Sequence, residues 1–155
     1  MAFWLMKSEP SEFSIDDLER RGQATEAWTG VRNYQARNLL RDDMRKGDSA
    51  FLYHSSCDQP AIVGIMEIAS AAYPDPLQFD RRSDYHDSGS KPEAPRWLAV
   101  DVRFKRRLRR ALPLEALRKH RALAQMPLLQ RGNRLSVMPV SKAEWDYILK
   151  LEADV

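Results

Sequence analysis

An α+β fold is what the sequence predicts, in one domain spanning residues 1–155, and three observations carry it. Strand-like apolar runs are interspersed with short amphipathic segments, without the regular βαβ alternation of a parallel sheet. A chain of 155 residues with 43% hydrophobic and 30% charged content is ordinary for one globule that buries a real core. With only six glycines, none in G-x-G-x-x-G or G-x-x-x-x-G-K-S/T spacing, the dinucleotide and triphosphate classes are disfavoured.

Phe3-Trp4-Leu5-Met6 is an apolar, aromatic run that reads as a buried opening strand. Pro10 cannot continue a central ladder and it restricts Glu9, so Lys7, Ser8 and Glu9 are delivered to the rim of the sheet. Ser14 supplies an N-cap hydroxyl for a short helix running to Gly22, with Asp16 and Asp17 as first-turn carboxylates that complement the helix dipole. Trp28 to Asn38 then places two aromatics, two arginines and three side-chain amides around Gly30. That stretch reads as a loop feeding a helix over Tyr34–Met44, capped by Asn33 and stopped near Gly47. Two apolar runs, Ala50–His54 and Ala61–Ile68, flank the polar turn Ser55–Pro60 and predict a hairpin, with Gly64 marking a close approach or a bend.

Residues 73–95 are rich in Pro, Asp and Ser and read as a long surface loop around Tyr85-His86-Asp87. A strand over Arg96–Phe104 follows and runs into Lys105-Arg106-Arg107-Leu108-Arg109-Arg110. If it persists, Arg103, Lys105, Arg107 and Arg109 share one face and form a basic stripe suited to phosphates. Short helical pieces after Pro113 lead to a turn at Arg131-Gly132-Asn133-Arg134, a last strand over Leu135–Val140, and a final helix, Lys142–Leu151, with the capping-box pair Ser141 and Glu144.

The net charge of +3 hides an asymmetry: residues 1–95 balance at −5, 96–134 at +10 and 135–155 at −2. A basic block of that size inside an otherwise acidic chain points to a polyanion such as nucleic acid; the plainer alternative is a solvated basic face. Cys57 is the lone cysteine, which excludes an internal disulfide and a thiolate-rich zinc site and fits a reducing, cytoplasmic setting. His54 and Cys57 lack neighbouring ligands, so neither a metal nor any other cofactor is expected. No apolar run is long enough to span a membrane and no signal sequence is evident, so no membrane partner is expected and a monomer is the default.

Trp28, with help from Tyr34, Tyr53 or Trp97, offers an aromatic face for a planar base, and the polar groups around it can read a base edge. The competing reading of Trp28 is a core anchor. At seven places the wording of the chain goes further. FWLMKSEP at 3–10, WTGVRNYQARN at 28–38, LYHSSC at 52–57, IVGIMEI at 62–68, AYPDP at 72–76, PRWLAVDV at 95–102 and RGNRLSVMPVS at 131–141 together resemble the EVE domain family over nearly the whole chain. The resemblance implies a PUA-like, twisted mixed and barrel-like sheet flanked by short helices, related to the YTH and ASCH domains. It also implies a non-catalytic reader of modified bases that stacks an extruded base, with modified cytosine such as 5-methylcytosine in DNA the first expectation, RNA next, and the stand-alone bacterial form the nearest type.

Carried over position by position, the resemblance puts Lys7, Ser8 and Glu9 at the rim of a pocket and Trp28 as its stacking wall. Thr29 stands where YTH readers use a small hydroxyl beside a cage tryptophan, and it departs from the aspartate expected after this tryptophan. Asn33, Tyr34, Tyr53, His54 and Ser55 match the family's motifs, and Arg131, Asn133 and Arg134 match its late one. Two other classes stay open: an enzyme on a base or nucleotide, using His54, Glu9 or Asp101 as acid or base, and a protein-docking surface along residues 103–110.

Overall fold

The computed structural model describes residues 1–154. Seven strands form one mixed sheet: β1 (Phe3–Ser8), β2 (Thr25–Trp28), β3 (Ser49–His54), β4 (Ala61–Ile68), β5 (Tyr73–Pro74), β6 (Leu98–Pro113) and β7 (Val137–Val140). The hydrogen-bonded path runs β2-β6-β4-β3-β1-β7, with β5 added to β6. Among the described residues, only β1 and β3 pair in parallel; every other strand pairing is antiparallel. Four helices accompany the sheet: α1 (Ile15–Arg20), α2 (Tyr34–Asp42), α3 (Leu114–Leu117) and α4 (Lys142–Ala153).

Central strands are buried on both faces, which is why they read as unbroken apolar runs rather than alternating ones. Along β1 and β3, Trp4, Met6, Ala50 and Leu52 enter one core cluster, while Leu5, Phe51 and Tyr53 enter a second. The first cluster is covered by Ile15 and Leu18 of α1 and Ala36 and Leu40 of α2. The second is covered by Leu117, Leu123, Met126, Leu128, Trp145 and Ile148, with Trp145 stacked on Phe51 at 3.9 Å. The expected caps are in place: Ser14 caps α1, Asn33 accepts from the Ala36 N–H of α2, and Ser141 and Glu144 form a capping box on α4; Asp17, read as a dipole complement, also closes a box with Ser14.

Three expectations change. Trp28 ends a strand, β2, which pairs it with Val100 of β6, rather than opening a loop. Residues 73–95 are not featureless: β5 and a 3-10 turn, Pro76–Phe79, organise their start. The strand expected over 96–104 extends to Pro113 and carries two irregularities against β4, between Ile65 and Met66 and between Ile62 and Gly64. A bulge inserts a residue and reverses the alternation beyond it. Val100 and Val102 therefore face the first cluster, whereas Leu108 and Leu112 face the second despite the even spacing. Arg103, Lys105, Arg107 and Arg109 consequently do not share one face. Gly64 lies where a Cβ would stand 2.4 Å from Ile15 Cδ1, the close approach its position implied.

Candidate functional site

Where parallel β1 and β3 end side by side, a cavity of about 440 Å³ opens. Its wall comes from Lys7, Ser8 and Glu9 at the end of β1, Glu12 and Phe13 in the turn beyond, and Ser55 after β3. Pro10 turns the chain out of the sheet, and the Glu9 carbonyl accepts the N–H groups of Glu12 and Phe13, both at 2.9 Å. The Ser8 hydroxyl donates to the Phe13 carbonyl at 2.7 Å, and the Ser55 N–H donates to the Ser8 carbonyl at 3.0 Å. Arg134 and Ser136 close another side, where the Lys7 N–H donates to the Ser136 carbonyl at 2.8 Å.

Glu26 to Val31 and Tyr85 complete the wall. Trp28 is 7% exposed, belongs to the first core cluster, and meets Phe13 edge-on at 6.3 Å. It is a core anchor and a cavity wall at once, so the two readings of this residue are not exclusive. Gly30 has φ +83°, and a Cβ there would stand 3.0 Å from Cζ of the Tyr85 ring. Glycine is thus favoured by the left-handed backbone, and an added Cβ would also press on the aromatic ring lying against it.

A buried carboxylate holds that arrangement. Asp75 is fully buried and accepts from the Gly30 N–H at 2.8 Å, Arg32 Nη1 at 2.9 Å and the Leu77 N–H at 2.8 Å. Arg32 in turn donates from Nε and Nη2 to the Tyr85 carbonyl, at 3.0 and 2.7 Å, and lies 5.5 Å from the centroids of both Tyr85 and Trp97. Gln78, also fully buried, bonds the Asp75 carbonyl, both backbone groups of Trp97 and the Ser90 hydroxyl. Through Arg32, the Asp75 carboxylate is tied to the Tyr85 carbonyl.

The electrostatics of the cavity are mixed: Glu9, Glu12 and Glu26 face Lys7 and Arg134. Burial pushes the Lys7 ammonium below its usual range. Burial also raises the Tyr85 phenol, and so does its hydrogen bond to the Glu12 carboxylate at 3.1 Å. Carboxylates accept from exocyclic amino groups and hydroxyls bond either way, so aromatic surface and acceptors together suit a planar amino-bearing ring. Among the described residues, no group of three His, Cys, Asp or Glu is placed to hold a metal ion.

Of the residues singled out in the sequence, Lys7, Ser8, Glu9, Trp28, Thr29, Ser55 and Arg134 line this cavity. Six others lie outside it. Tyr53 is turned into the second core cluster, as its alternation along β3 dictates. His54 accepts the Ile15 N–H on Nε2 at 3.1 Å, which requires the neutral ring; burial holds its pKa low. Asn33 is the α2 cap, and Asn133 pins its own turn, donating to the Pro127 carbonyl and accepting from the Leu135 N–H. Tyr34 is 52% exposed and stacks on Trp97 at 4.7 Å, with the Arg37 guanidinium 5.0 Å from its centroid. Arg131 is exposed beside Gly132. Glu12, Phe13, Glu26, Tyr85 and Ser136 escaped sequence reasoning; Tyr85 alone had left a sign, at the centre of the long loop.

The β6 basics are largely engaged. Arg103 and Lys105 pair with Glu67, Arg106 with the buried Glu152, and Arg107 with Asp16 and Glu19 of α1. Arg109 makes no ion pair among the described residues.

Known proteins share this sequence and fold. Thymocyte nuclear protein 1 of Mus musculus is 47% identical across 97% of this chain and 73% of its own length. A crystal structure of a protein from Pseudomonas syringae superposes with a TM-score of 0.93 at 51% identity, over 97% of this chain and 99% of that one. Human THYN1, solved in complex with DNA containing 5-methylcytosine, superposes at 0.94 with 41% identity over 100% and 99% of the two chains. An ASCH protein from Zymomonas mobilis shares the fold alone, at 0.58 and 10% identity over 97% of this chain and 99% of that one. The fold is PUA-like, no helix among the described residues is long and apolar enough to cross a membrane, and the EVE domain model matches residues 2–151. The chain belongs to the EVE domain family.

Proposed function

We propose that this chain is a DNA-binding reader of a modified base, cytosine above all, which enters the cavity beside Trp28 without being chemically altered. The observation that carries the reading is the cavity itself. Its volume of about 440 Å³ falls within the roughly 300–1,000 Å³ typical of small-ligand sites. Phe13, Trp28 and Tyr85 supply aromatic surface, and Glu9 supplies an acceptor, with Glu12 and Glu26 beside it already accepting from the Tyr85 hydroxyl and Arg21 Nε. A carboxylate accepting from the cytosine N4 amino group is a favoured pairing, and stacking of an unpaired base on an aromatic ring is worth about 1–3 kcal/mol. Human THYN1, of the same fold and 41% identical, was solved on DNA carrying 5-methylcytosine, which favours DNA over RNA and this base over others.

The enzymatic alternative needs an acid or base at the reacting atom. His54 is occupied by the Ile15 N–H and Asp101 by the Tyr73 hydroxyl at 2.5 Å, which leaves Glu9 of the three candidates on the cavity wall. The test is a panel of duplex and single-stranded oligonucleotides bearing unmodified cytosine, 5-methylcytosine, 5-hydroxymethylcytosine or N6-methyladenine, with RNA counterparts. Affinity is expected to be highest for a modified cytosine in DNA, and mass spectrometry should recover the oligonucleotide unchanged. Equal affinity across the panel would sink the reader reading, and a changed base would replace it with an enzyme.

A further inference from the structure

We infer that the DNA backbone is held by Arg118, Arg131 and Arg134, on the segment between β6 and β7, together with Lys7 at the end of β1, and not by the β6 stripe. This rests on the reading of the cavity as a base site and adds where the flanking phosphates lie. Phosphate affinity comes from cations whose counterions are released on binding, so arginines already neutralised by carboxylates contribute least. Along β6, Arg103, Lys105, Arg106 and Arg107 each pair with Glu or Asp, which leaves Arg109 and Arg110 without an ion pair among the described residues, Arg110 donating instead to the Leu151 carbonyl at 2.6 Å. Residues 114–136 hold five Lys or Arg against one acidic residue. Among the described residues none of those five forms an ion pair, and all five are exposed.

Position agrees with charge. Arg134 lines the cavity, and Lys7 joins it from the end of β1. Lys7 Nζ lies 6.0 Å from the centroid of Tyr53, and Arg118 is exposed just after α3. The Leu114 N–H donates to the Pro60 carbonyl at 2.9 Å, tying the start of α3 to the β3–β4 turn next to the cavity. Arg131 and Arg134 sit on a braced turn: Gln130 donates to the Ala124 carbonyl at 2.8 Å, and Asn133 bonds Pro127 and Leu135. A base entering between Trp28 and Tyr85 would leave its own strand passing this rim.

The experiment compares Arg118→Gln with Arg131→Gln, combined, against Lys105→Ala with Arg109→Ala, combined. Affinity for unmodified and 5-methylcytosine duplexes is measured by anisotropy from about 50 to 200 mM KCl, the range over which backbone contacts dominate the change in affinity. The first pair should flatten the slope of log K on log salt by about 1.8, at about 0.9 per lost phosphate contact, and weaken both duplexes alike. The second pair should leave the slope unchanged. An unaltered slope in the first pair, a loss confined to the second, or tighter binding of double-stranded RNA than of DNA overturns the inference. All four altered side chains are exposed, and matching melting transitions will exclude misfolding. A wild-type protein that responds in slope but prefers neither duplex would refute the base pocket and leave the backbone track standing. The reverse pattern would refute the track alone.

Discussion

Replacing Asp75 by Asn is the sharpest structural perturbation this fold offers. The carboxylate is fully buried and accepts three donors: the Gly30 and Leu77 N–H groups and the Arg32 guanidinium. An amide keeps one oxygen for Leu77 but turns two N–H bonds toward the Gly30 N–H and Arg32. Removing one partner of a buried pair costs about 3–5 kcal/mol. The Arg32 side chain retains 20% exposure and its bonds to the Tyr85 carbonyl, which reduces the figure to roughly 2–4 kcal/mol once solvent screening is allowed for. For a chain of 155 residues that is a fall in Tm of roughly 5–15 °C, taking about 2–4 °C per kcal/mol. Urea unfolding at neutral pH measures it directly. Well below the new transition, affinity for a 5-methylcytosine duplex should also fall, by about tenfold, because the Tyr85 wall is no longer fixed. A change in stability below about 1 kcal/mol would refute the claim that this carboxylate organises the cavity. Lost stability with undiminished affinity would refute the role given to Tyr85.

Gly30→Ala should cost about 1–2 kcal/mol from its left-handed backbone, plus a steric share that Tyr85→Ala in the same chain relieves; a double variant no more stable than additive would rule out the contact. Trp28→Ala should lose about 3–5 kcal/mol as well as discrimination between bases, whereas Trp28→Phe should fold and lose less of both; a folded variant with full discrimination would move the pocket elsewhere. His54 has a folded pKa held below its ordinary 6.5 by burial, so its contribution is complete above about pH 6.5 and is lost as pH falls toward the folded value. His54→Gln should flatten the stability profile in that window, and an unchanged profile would show that the Ile15 contact carries no linkage. Glu152 is held below its ordinary 4.5 chiefly by its hydrogen bond with Arg106, so Arg106→Gln should destabilise the fold above about pH 4.5 and matter progressively less as acid protonates the carboxylate; equal loss at pH 3 and 7 would contradict this.

Much of the fold was legible because its signals are local. The Ser14 cap, the Ser141–Glu144 capping pair, the Asn33 cap, the hairpin around Ser55–Pro60 and the close approach at Gly64 all follow from spacing within a few residues. The basic stripe misled for the opposite reason: period-two reasoning has no knowledge of a bulge, and the insertions in β6 are visible only against the register of β4. Site residues divide in the same way. Lys7, Ser8, Glu9 and Ser55 stand at strand ends, which a proline and a polar turn announce. Tyr53 and His54 lie beside them in sequence, but alternation sends one ring into the opposite core and a helix N-terminus captures the other. Tyr85 is 55 residues from Gly30, and no local rule connects an Asp75 to both.

That last separation explains how an irregular segment of this length becomes part of a rigid site. Backbone groups leaving a sheet need partners, and a long loop without them stays mobile. Here Asp75, Gln78 and Ser90, all buried, satisfy donors and acceptors from both ends of the segment, and Asp87 holds the Trp97 indole N–H at 2.7 Å and the Gly89 N–H at 2.9 Å. The loop is therefore pinned to β6 on one side and to the Gly30 turn on the other. Trp28 is pinned independently, by its place in β2 and the first core cluster. With both aromatic residues fixed before any ligand arrives, a base entering the cavity has only its own ordering to offset, and binding energy goes into discrimination rather than into assembling the wall. A binding surface of exposed arginines alone would have no such selectivity, since phosphates are the same beside every base. On the proposed reading the two properties come from different parts of the molecule: affinity from cations left unpaired between β6 and β7, and choice from a pocket whose walls are held by a buried aspartate.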